Sequence, residues 1–191
     1  SAHLNTNQPA RTLTLTPEEK GLYITVPLLT DKPVLYIANV SDEQVISPAK
    51  LTSVFSPSDH VLPISVKIEQ ELVQLPAEER QVFLREYGLE QTGLDRLIQA
   101  GYSLLNLITF FTSGPTETRA WTVPRGATAP VAAGQIHSDM QRGFIRAETV
   151  SYNDLIAAGS YAAARSTGAV RDEGKEYVVQ DGDVMFFKFS V

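Results

Sequence analysis

The order of apolar and polar residues predicts two buried strands in the first half of the chain. Residues 32–39 contain five consecutive apolar residues without polar alternation, and residues 61–65 form a second such run. Continuous apolar runs of this length are typical of strands buried on both faces of a parallel sheet. Residues 44–55 must cross over between them, and we expect a short helix broken at Pro48. An approach segment precedes the strands and is predicted to be helical around residues 17–23.

Two helices are predicted after these strands. Residues 76–87 form a helix that buries Val82 and Leu84 and ends at Gly88. A second helix begins at Thr92, because the apolar residues after it recur at the i, i+3, i+4, i+7 spacing of one helical face. Those residues are Leu94, Leu97, Ile98, Gly101, Leu104 and Leu105.

The second half of the chain predicts a strand, a short helix and another strand in close succession. Residues 119–123 form the first strand, and a glycine-containing turn follows it. Thr128 is a suitable N-cap for an alanine-rich helix, and Pro130 fits its first turn, where a missing N–H group costs nothing. A turn near Gly143 leads into the second strand at residues 144–150. Such a unit needs a further sheet partner to close a core.

The C-terminal run supplies that partner. Residues 177–191 are predicted to form a hairpin, with the Gln-Asp-Gly-Asp turn at residues 180–183. The apolar residues around the turn are Tyr177, Val179, Val184, Phe186 and Phe187. The residues after Leu107 are therefore interpreted as a small mixed sheet that embraces a helix, a β-grasp. The predicted fold class is an α/β part at residues 1–105, followed by an α+β domain at residues 106–191.

Charge and composition narrow the function classes. The net charge of the 191 residues is −6. Of the 16 Lys+Arg and 22 Asp+Glu, 8 and 9 lie in residues 106–191, which leaves 8 and 13 for residues 1–105. Because the acidity lies in the first part, non-specific nucleic-acid binding by the whole chain is not expected. Cysteine is absent, no apolar run approaches the roughly 20 residues of a membrane span, and no signal-peptide pattern opens the sequence, which fits a cytoplasmic protein.

Polar residues follow both predicted parallel strands. Asn39-Val40-Ser41-Asp42 comes after the first strand, and Ser65-Val66-Lys67 forms a loop after the second. Ligands of open α/β sheets bind beyond the carboxyl ends of the strands, and an amide with a nearby carboxylate can read the edge of a purine. Asn, Ser and Asp also end strands because they form Asx turns. On the pattern alone, the turn is the favoured interpretation.

Neither a catalytic nor a metal site is predicted. His137 and Asp139 form a possible acid–base pair, but no Ser or Cys nucleophile accompanies them in a recognised motif. We expect His137 to lie near a helix end, where it meets free backbone carbonyls. The other histidines, His3 and His60, are remote in sequence, which argues against a zinc site.

Four arginines flank the two strands of the second half, and they are Arg119, Arg125, Arg142 and Arg146. Paired sheet edges would bring them to one face and form a patch that contacts phosphates. The alternative is that they are solvated and offset by Glu117, Asp139 and Glu148. The pattern leaves the two interpretations nearly equal.

The second half also resembles a known domain. The motifs RAWT, G-x-TAP-x-AAG-x-IH, GFIRAE and VQDGDV, together with the ending KEYVVQDGDVMFFKFSV, are similar to the TGS domain that closes the YchF/Obg-like ATPase family. The resemblance implies a TGS β-grasp domain at residues 106–191. It also implies that residues 1–105 are the C-terminal portion of a P-loop nucleotide-binding G domain, a partial remnant of its parallel sheet. By resemblance to TGS domains, the four arginines become candidates for contact with RNA or the ribosome.

The same resemblance assigns the base-contacting residues. GTPases use Asn-Lys-x-Asp after this strand, whereas the YchF/Obg-like family uses Asn-x-x-Glu with an apolar second residue and accepts ATP. This chain has Val40 in place of the lysine and Asp42 in place of the glutamate. Ser65-Val66-Lys67 resembles the Ser-Ala-Lys loop. The resemblance therefore implies base contacts by Asn39, Val40, Asp42, Ser65 and Val66, with ATP preferred over GTP.

Phosphoryl transfer needs groups that this sequence does not encode. It contains no G-x-x-x-x-G-K-[ST] motif, and no D-x-x-G follows a strand to hold Mg²⁺. The resemblance places the phosphate-binding half upstream, so we expect the chain to be a C-terminal fragment of a ribosome-associated ATPase. ATP or GTP with Mg²⁺ is then bound by the full-length protein, and the fragment alone neither holds the nucleotide tightly nor hydrolyses it. The truncated sheet is expected to self-associate through its open edges.

The alternative function is a binding module that uses no nucleotide in this chain. In that case the β-grasp domain docks on RNA or on a protein partner, and the first half serves as a scaffold.

Overall fold

The chain forms two compact units, Ser1–Leu104 and Leu105–Val191. The structure, a computed structural model, describes residues 2–16, 18–19, 21, 28–46, 55, 59–114 and 117–190. Most of the helix predicted around residues 17–23 and most of the crossover at residues 44–55 lie outside the described residues. Both units are mixed α/β structures with parallel strand pairs, which confirms the fold class at that level.

The first unit contains a parallel pair of strands, β1 (Leu35–Asn39) and β2 (His60–Ile64). Their register places Leu35 opposite His60 and Asn39 opposite Ile64. The parallel pairing agrees with the sequence prediction, but the prediction of burial on both faces is wrong for β1, where Ile37 is 46% exposed. In the described residues β1 has one partner strand, β2.

One short helix precedes the strands of the first unit, and helices follow each strand. They are α1 (Ala2–Asn5), α2 (Asp42–Ile46), α3 (Val66–Gln74), α4 (Ala77–Glu86) and α5 (Gly93–Leu104), and single 3₁₀ turns lie at Ala10–Thr12 and Leu29–Asp31. Ile68 and Leu72 of α3 are buried against Leu84 of α4. The loop predicted at residues 65–67 is wrong, because Ser65 caps α3 and the next two residues form its first turn.

Helix α4 occupies the predicted segment and ends before Gly88, whose φ of 66° suits glycine. Leu84 is buried as expected, but Val82 is 57% exposed and its predicted burial is wrong. Helix α5 has the predicted apolar face, yet Leu94 and Ile98 on that face are 61% and 51% exposed. The apolar pattern of α5 therefore predicted the helix correctly without predicting its burial.

The second unit is built on a mixed five-stranded sheet. Its strands are β3 (Leu107–Ser113), β4 (Thr118–Pro124), β5 (Phe144–Ser151), β6 (Arg171–Glu173) and β7 (Asp183–Phe189), in the order β4-β3-β7-β5-β6. Strands β3 and β7 are parallel, and the other neighbouring pairs are antiparallel. The predicted strands at residues 119–123 and 144–150 are thus present.

Helices cover both faces of this sheet. They are α6 (Ala129–Ile136), α7 (Ser138–Arg142), α8 (Tyr152–Ala158) and α9 (Tyr161–Ser166). Phe110, Phe187 and the alanines of α6 form the larger core on one face, while Val184 packs with Ala164 of α9 on the other. Pro130 lies in the first turn of α6 as predicted, but the Thr128 side chain makes no capping hydrogen bond.

The predicted C-terminal hairpin does not form. Gly182 adopts a φ of 83° and turns the chain, but the residues before the turn pair elsewhere: the Val179 N–H donates to the Ala127 oxygen at 3.0 Å, and Val178 bridges Thr128. The reason is the position of β7, which already has β3 on one edge and β5 on the other. No edge of β7 remains for a hairpin partner.

Candidate functional site

The residues after β1 and β2 lie together at one end of the parallel pair. Asn39 is opposite Ile64, and the Val40 N–H donates to the Ile64 oxygen at 3.0 Å. Because parallel strands end on the same edge of a sheet, the segments that follow them are neighbours. The structure therefore brings the two predicted base-contacting segments side by side.

Ser65 joins these segments. Its hydroxyl donates to Asp42 Oδ1 at 2.7 Å and accepts from the Ile68 N–H at 3.3 Å, so that one side chain caps α3 and holds the carboxylate. Ser65 is only 3% exposed. Its side chain fixes the start of α3 rather than extending into solvent.

Asn39 makes a second link to α3. Its side-chain oxygen accepts a hydrogen bond from the Val66 N–H at 3.3 Å, across 27 positions of sequence. With the oxygen engaged in this way, the amide NH₂ is the group that Asn39 can present to a ligand as a donor.

Asp42 is held in its ionised form. Lys67 donates to Asp42 Oδ2 at 2.8 Å, while Ser65 occupies Oδ1. These hydrogen bonds, first from Lys67 and then from Ser65, place the pKa of Asp42 below its ordinary value. The same pair raises the pKa of Lys67. Both carboxylate oxygens thus already accept a strong donor.

Sequence reasoning missed the role of Lys67. The sequence pattern places Lys67 only in a loop, whereas its ammonium group neutralises the carboxylate expected to read the base. The Ser-x-Lys spacing contained the signal, since a helix beginning at Val66 places Lys67 in the first turn, beside α2. The site thus offers an amide donor, a paired carboxylate and the N-terminus of α3. Among the residues that the structure describes, no group of three or more His, Cys, Asp or Glu could hold a metal ion.

The four arginines of the second unit do not gather on one sheet face. Strands β3 and β7 lie between β4, which carries Arg119, and β5, which carries Arg146. Arg119 shares the face of Val123 in the larger core and stacks over the Trp121 ring at 4.3 Å, whereas Arg146 lies on the opposite face with Glu148. The expectation that paired edges bring them together is therefore wrong.

Two of these arginines have carboxylate partners. Arg142 pairs with Asp139 one turn earlier in α7, and Arg146 contacts Asp172 at 3.1 Å and Glu148 at 3.9 Å. Arg125 lies in the turn after β4, where its backbone N–H donates to the Asn106 oxygen. The contact of each arginine with RNA or the ribosome stays a prediction.

The sequence pattern does not predict the buried environment of Glu148. The sequence pattern allows a solvated counter-charge at this position, yet Glu148 is only 4% exposed on β5. The Tyr161 hydroxyl and Arg165 each contact it at 2.9 Å, and the Lys188 ammonium lies 3.7 Å away. Burial opposes ionisation, but the hydrogen bonds from Tyr161 and Arg165 outweigh it, and the pKa of Glu148 lies below its ordinary value. Burial and the bond to Glu148 raise the pKa of Tyr161 to about 12.

His137 lies at the end of α6, as expected, but its side chain has a different role. Its Nδ1 accepts a hydrogen bond from the Asp139 N–H at 3.1 Å and so caps α7. The predicted contact with free carbonyls is wrong, because the ring acts as an acceptor at a helix start.

Comparisons with known proteins agree on one family. Residues 107–190 match the family model YchF-GTPase_C, described as "Protein of unknown function (DUF933)". A Bacillus subtilis (strain 168) protein named ribosome-binding ATPase YchF is 50% identical over 191 aligned residues, which cover 96% of this chain and 52% of that protein. The protein of the same name from Escherichia coli O157:H7 is 46% identical, with 95% of this chain and 51% of that protein covered. The chain therefore spans about half the length of these relatives.

One solved structure gives the same result, and a second shares the fold. The structure of the Schizosaccharomyces pombe YchF GTPase superposes with a TM-score of 0.80 at 34% identity, covering 96% of this chain and 50% of that one. A GTP-binding protein from Pyrococcus horikoshii OT3 superposes with a TM-score of 0.57 at 18% identity, covering 99% of this chain and 55% of that one, a likeness of fold alone. In the part of the chain that the structure describes, no helix is long and apolar enough to cross a membrane.

Proposed function

Because this chain belongs to the YchF family, we propose that it forms the base-recognition and TGS part of a ribosome-associated ATPase. In this proposal the first unit is the C-terminal portion of a nucleotide-binding G domain, and the second is a TGS β-grasp domain. The observation that carries it is the meeting of Asn39, Asp42 and Ser65 at one sheet edge. The remaining base contacts are Val40 and the start of α3 at Val66.

ATP is the preferred nucleotide in this proposal. A guanine base presents two adjacent N–H donors and needs a carboxylate that accepts both. Asp42 already accepts from Ser65 and Lys67, so the two guanine donors would have to compete with them for the same carboxylate. Adenine lacks that pair of donors and does not face this competition. Val40, which stands where GTPases carry a lysine, removes a further guanine-specific feature.

Hydrolysis requires the phosphate-binding groups and Mg²⁺ of the full-length protein. This chain contributes base contacts and contains no phosphate-binding G-x-x-x-x-G-K-[ST] motif. We therefore expect the chain alone to hold ATP weakly and to show no turnover.

The test is a titration of the full-length protein with ATP and GTP, measured by displacement of a fluorescent nucleotide. ATP is expected to bind more tightly, and tighter binding of GTP would contradict the adenine assignment. Replacing Lys67 with Met frees one carboxylate oxygen and is expected to tighten GTP binding severalfold relative to ATP. Lys175→Met, an exposed substitution in the second unit, is the matched control and should leave the ratio unchanged.

A ribosome contact is the second part of the proposal, supported by the name of the relatives, ribosome-binding ATPase YchF. Co-sedimentation with ribosomes over a salt series is expected to show binding that weakens as salt rises. Arg125→Glu and Arg142→Glu are expected to reduce it. Ribosome binding that is unchanged in both variants would show that these two arginines are not contacts.

A further inference from the structure

An exposed aromatic ring lies on the sheet face of the second unit that carries α8 and α9. Phe186 of β7 is 46% exposed, and its register partner on β5 is Glu148. Alternation along β7 places Phe186 on the same face as Val184 and Lys188, away from the larger core. The Lys188 ammonium lies 4.2 Å from the centre of the Phe186 ring. Water therefore reaches a flat apolar surface in the middle of a strand, next to a cation.

A groove surrounds this ring. A cavity of about 490 Å³ is lined by Ser113, Gly114, Glu148, Tyr161, Phe186 and Lys188. A second cavity of similar volume shares Ser113 and Tyr161 with it and continues to Leu155 and Ile156 of α8. Each volume falls in the range of about 300–1,000 Å³ that small-ligand sites occupy. Together they provide room for more than one unit of an extended ligand.

The charges around the groove favour an anion. Three cations contact the buried Glu148, and they are Arg146, Arg165 and Lys188. Arg146 also pairs with a second carboxylate, Asp172. Within this cluster three cations face two carboxylates, so the cluster itself carries one excess positive charge. The side chains of Arg165 and Lys188 are 57% and 40% exposed, so both can turn a donor toward a ligand while Glu148 holds their positions.

We propose that this groove binds single-stranded RNA, with one unpaired base stacked on Phe186 and the adjoining phosphate held by Lys188 and Arg165. An aromatic platform flanked by cations is the combination that single-stranded nucleic acids use, because every base has a π-face and every nucleotide a phosphate. The stacked base takes the place of the Lys188 ammonium over the ring, and that ammonium moves to the phosphate. The inference rests on the proposed contact with ribosomes and names the RNA element that would make it.

The test uses the 191-residue chain and a fluorescein-labelled ten-nucleotide oligoadenylate, with binding followed by fluorescence anisotropy. Phe186→Leu keeps the apolar bulk, removes the π-face and is expected to weaken binding about tenfold. Phe186→Tyr keeps the ring and is expected to bind like the unmodified chain. Lys188→Gln is expected to weaken binding and to flatten its salt dependence. Lys175→Gln, the same charge change at an exposed position outside the groove, should have no effect.

The competing outcomes are distinct. Unchanged oligonucleotide binding in both Phe186→Leu and Lys188→Gln would overturn the groove while leaving the ribosome contact standing. Equal binding of a duplex of the same length would overturn base stacking. If the chain bound ribosomes but not the oligonucleotide, and Phe186→Leu weakened the ribosome binding, the groove would hold a ribosomal protein segment and the RNA proposal would be wrong. Absence of any ribosome binding would instead reject the proposed function. Thermal melts of each variant show whether it is folded.

Discussion

Glu148 is a buried carboxylate whose charge is matched by its neighbours. Three cations approach its side chain, and Tyr161 donates a hydrogen bond to it. A folded-state pKa below the ordinary value means that ionised Glu148 stabilises the fold above its unfolded-state pKa. That stabilisation is lost as the pH falls through the folded-state pKa.

Glu148→Gln keeps the shape of the side chain and removes its charge. It is expected to lower the free energy of unfolding by about 2 kcal/mol at neutral pH, because the cations lose their counter-charge. The difference from the unmodified chain should shrink as the pH falls through the lowered folded-state pKa of Glu148. Urea unfolding at a series of pH values measures it, and a difference that does not change with pH would contradict the charge-based explanation.

Ser65 has two roles within the first unit, and their effect on stability can be measured separately from the stability of the second unit. Ser65→Ala removes the cap of α3 and the bond to Asp42, and it is expected to cost about 1–2 kcal/mol. Trp121, the single tryptophan, reports on the second unit, while far-UV circular dichroism reports on both. We expect Ser65→Ala to shift the unfolding transition followed by circular dichroism and to leave the transition followed by tryptophan unchanged.

Ser151→Ala, which removes the cap of α8, is the matched control and should shift the tryptophan transition instead. Equal shifts of both signals in Ser65→Ala would show that the effect of the cap extends beyond the first unit.

Among the elements, α5 carries a glycine that its helix does not require. A Cβ atom added at Gly101 meets nothing within 4 Å, and the residue lies inside a helix of 12 residues. Gly101→Ala is therefore expected to raise the free energy of unfolding by about 0.5–1 kcal/mol, measured by denaturant unfolding. Gly88→Ala is the contrasting variant, since its φ of 66° disfavours a side chain, and it should be destabilising. Equal effects at both positions would contradict this explanation.

Elements that depend on local pattern were predictable from the sequence, and those that depend on neighbours were not. The apolar runs predicted β1 and β2 as a parallel pair, and the position of Gly88 predicted the end of α4. The predicted hairpin before β7 failed because the choice of strand partner is decided by the whole sheet. Helix α3 was missed although Ser65, Ile68 and Leu72 have the spacing of a cap and a buried face.

In the candidate site, too, the residues were predictable from local pattern, whereas their contacts depend on neighbouring elements. The sequence and its family resemblance identified Asn39, Asp42 and Ser65, and strand order alone brings them to one edge. The Lys67–Asp42 pair depends on a helix that begins directly after Ser65, where the sequence pattern predicts a loop. Likewise, the burial of Glu148 depends on α9, which the apolar pattern did not predict.

At the scale of the whole molecule, the first unit exposes apolar side chains that a folded protein normally covers. Leu94 and Ile98 on α5 and Ile37 on β1 are each about half exposed or more. Size-exclusion chromatography is expected to show self-association that increases with concentration, and Ile98→Glu should reduce it. A single monomeric peak at every concentration would contradict the prediction.

The second unit obtains its sheet from a strand that comes late in the sequence. Strand β7 follows the other four along the chain, yet it lies between the β3–β4 hairpin and the β5–β6 pair. Until β7 has been synthesised, those two pairs have no strand to join them. The five-stranded sheet can therefore close only after β7 has been synthesised, and a nascent chain interrupted before Asp183 is expected to be more open to proteolysis than the complete unit.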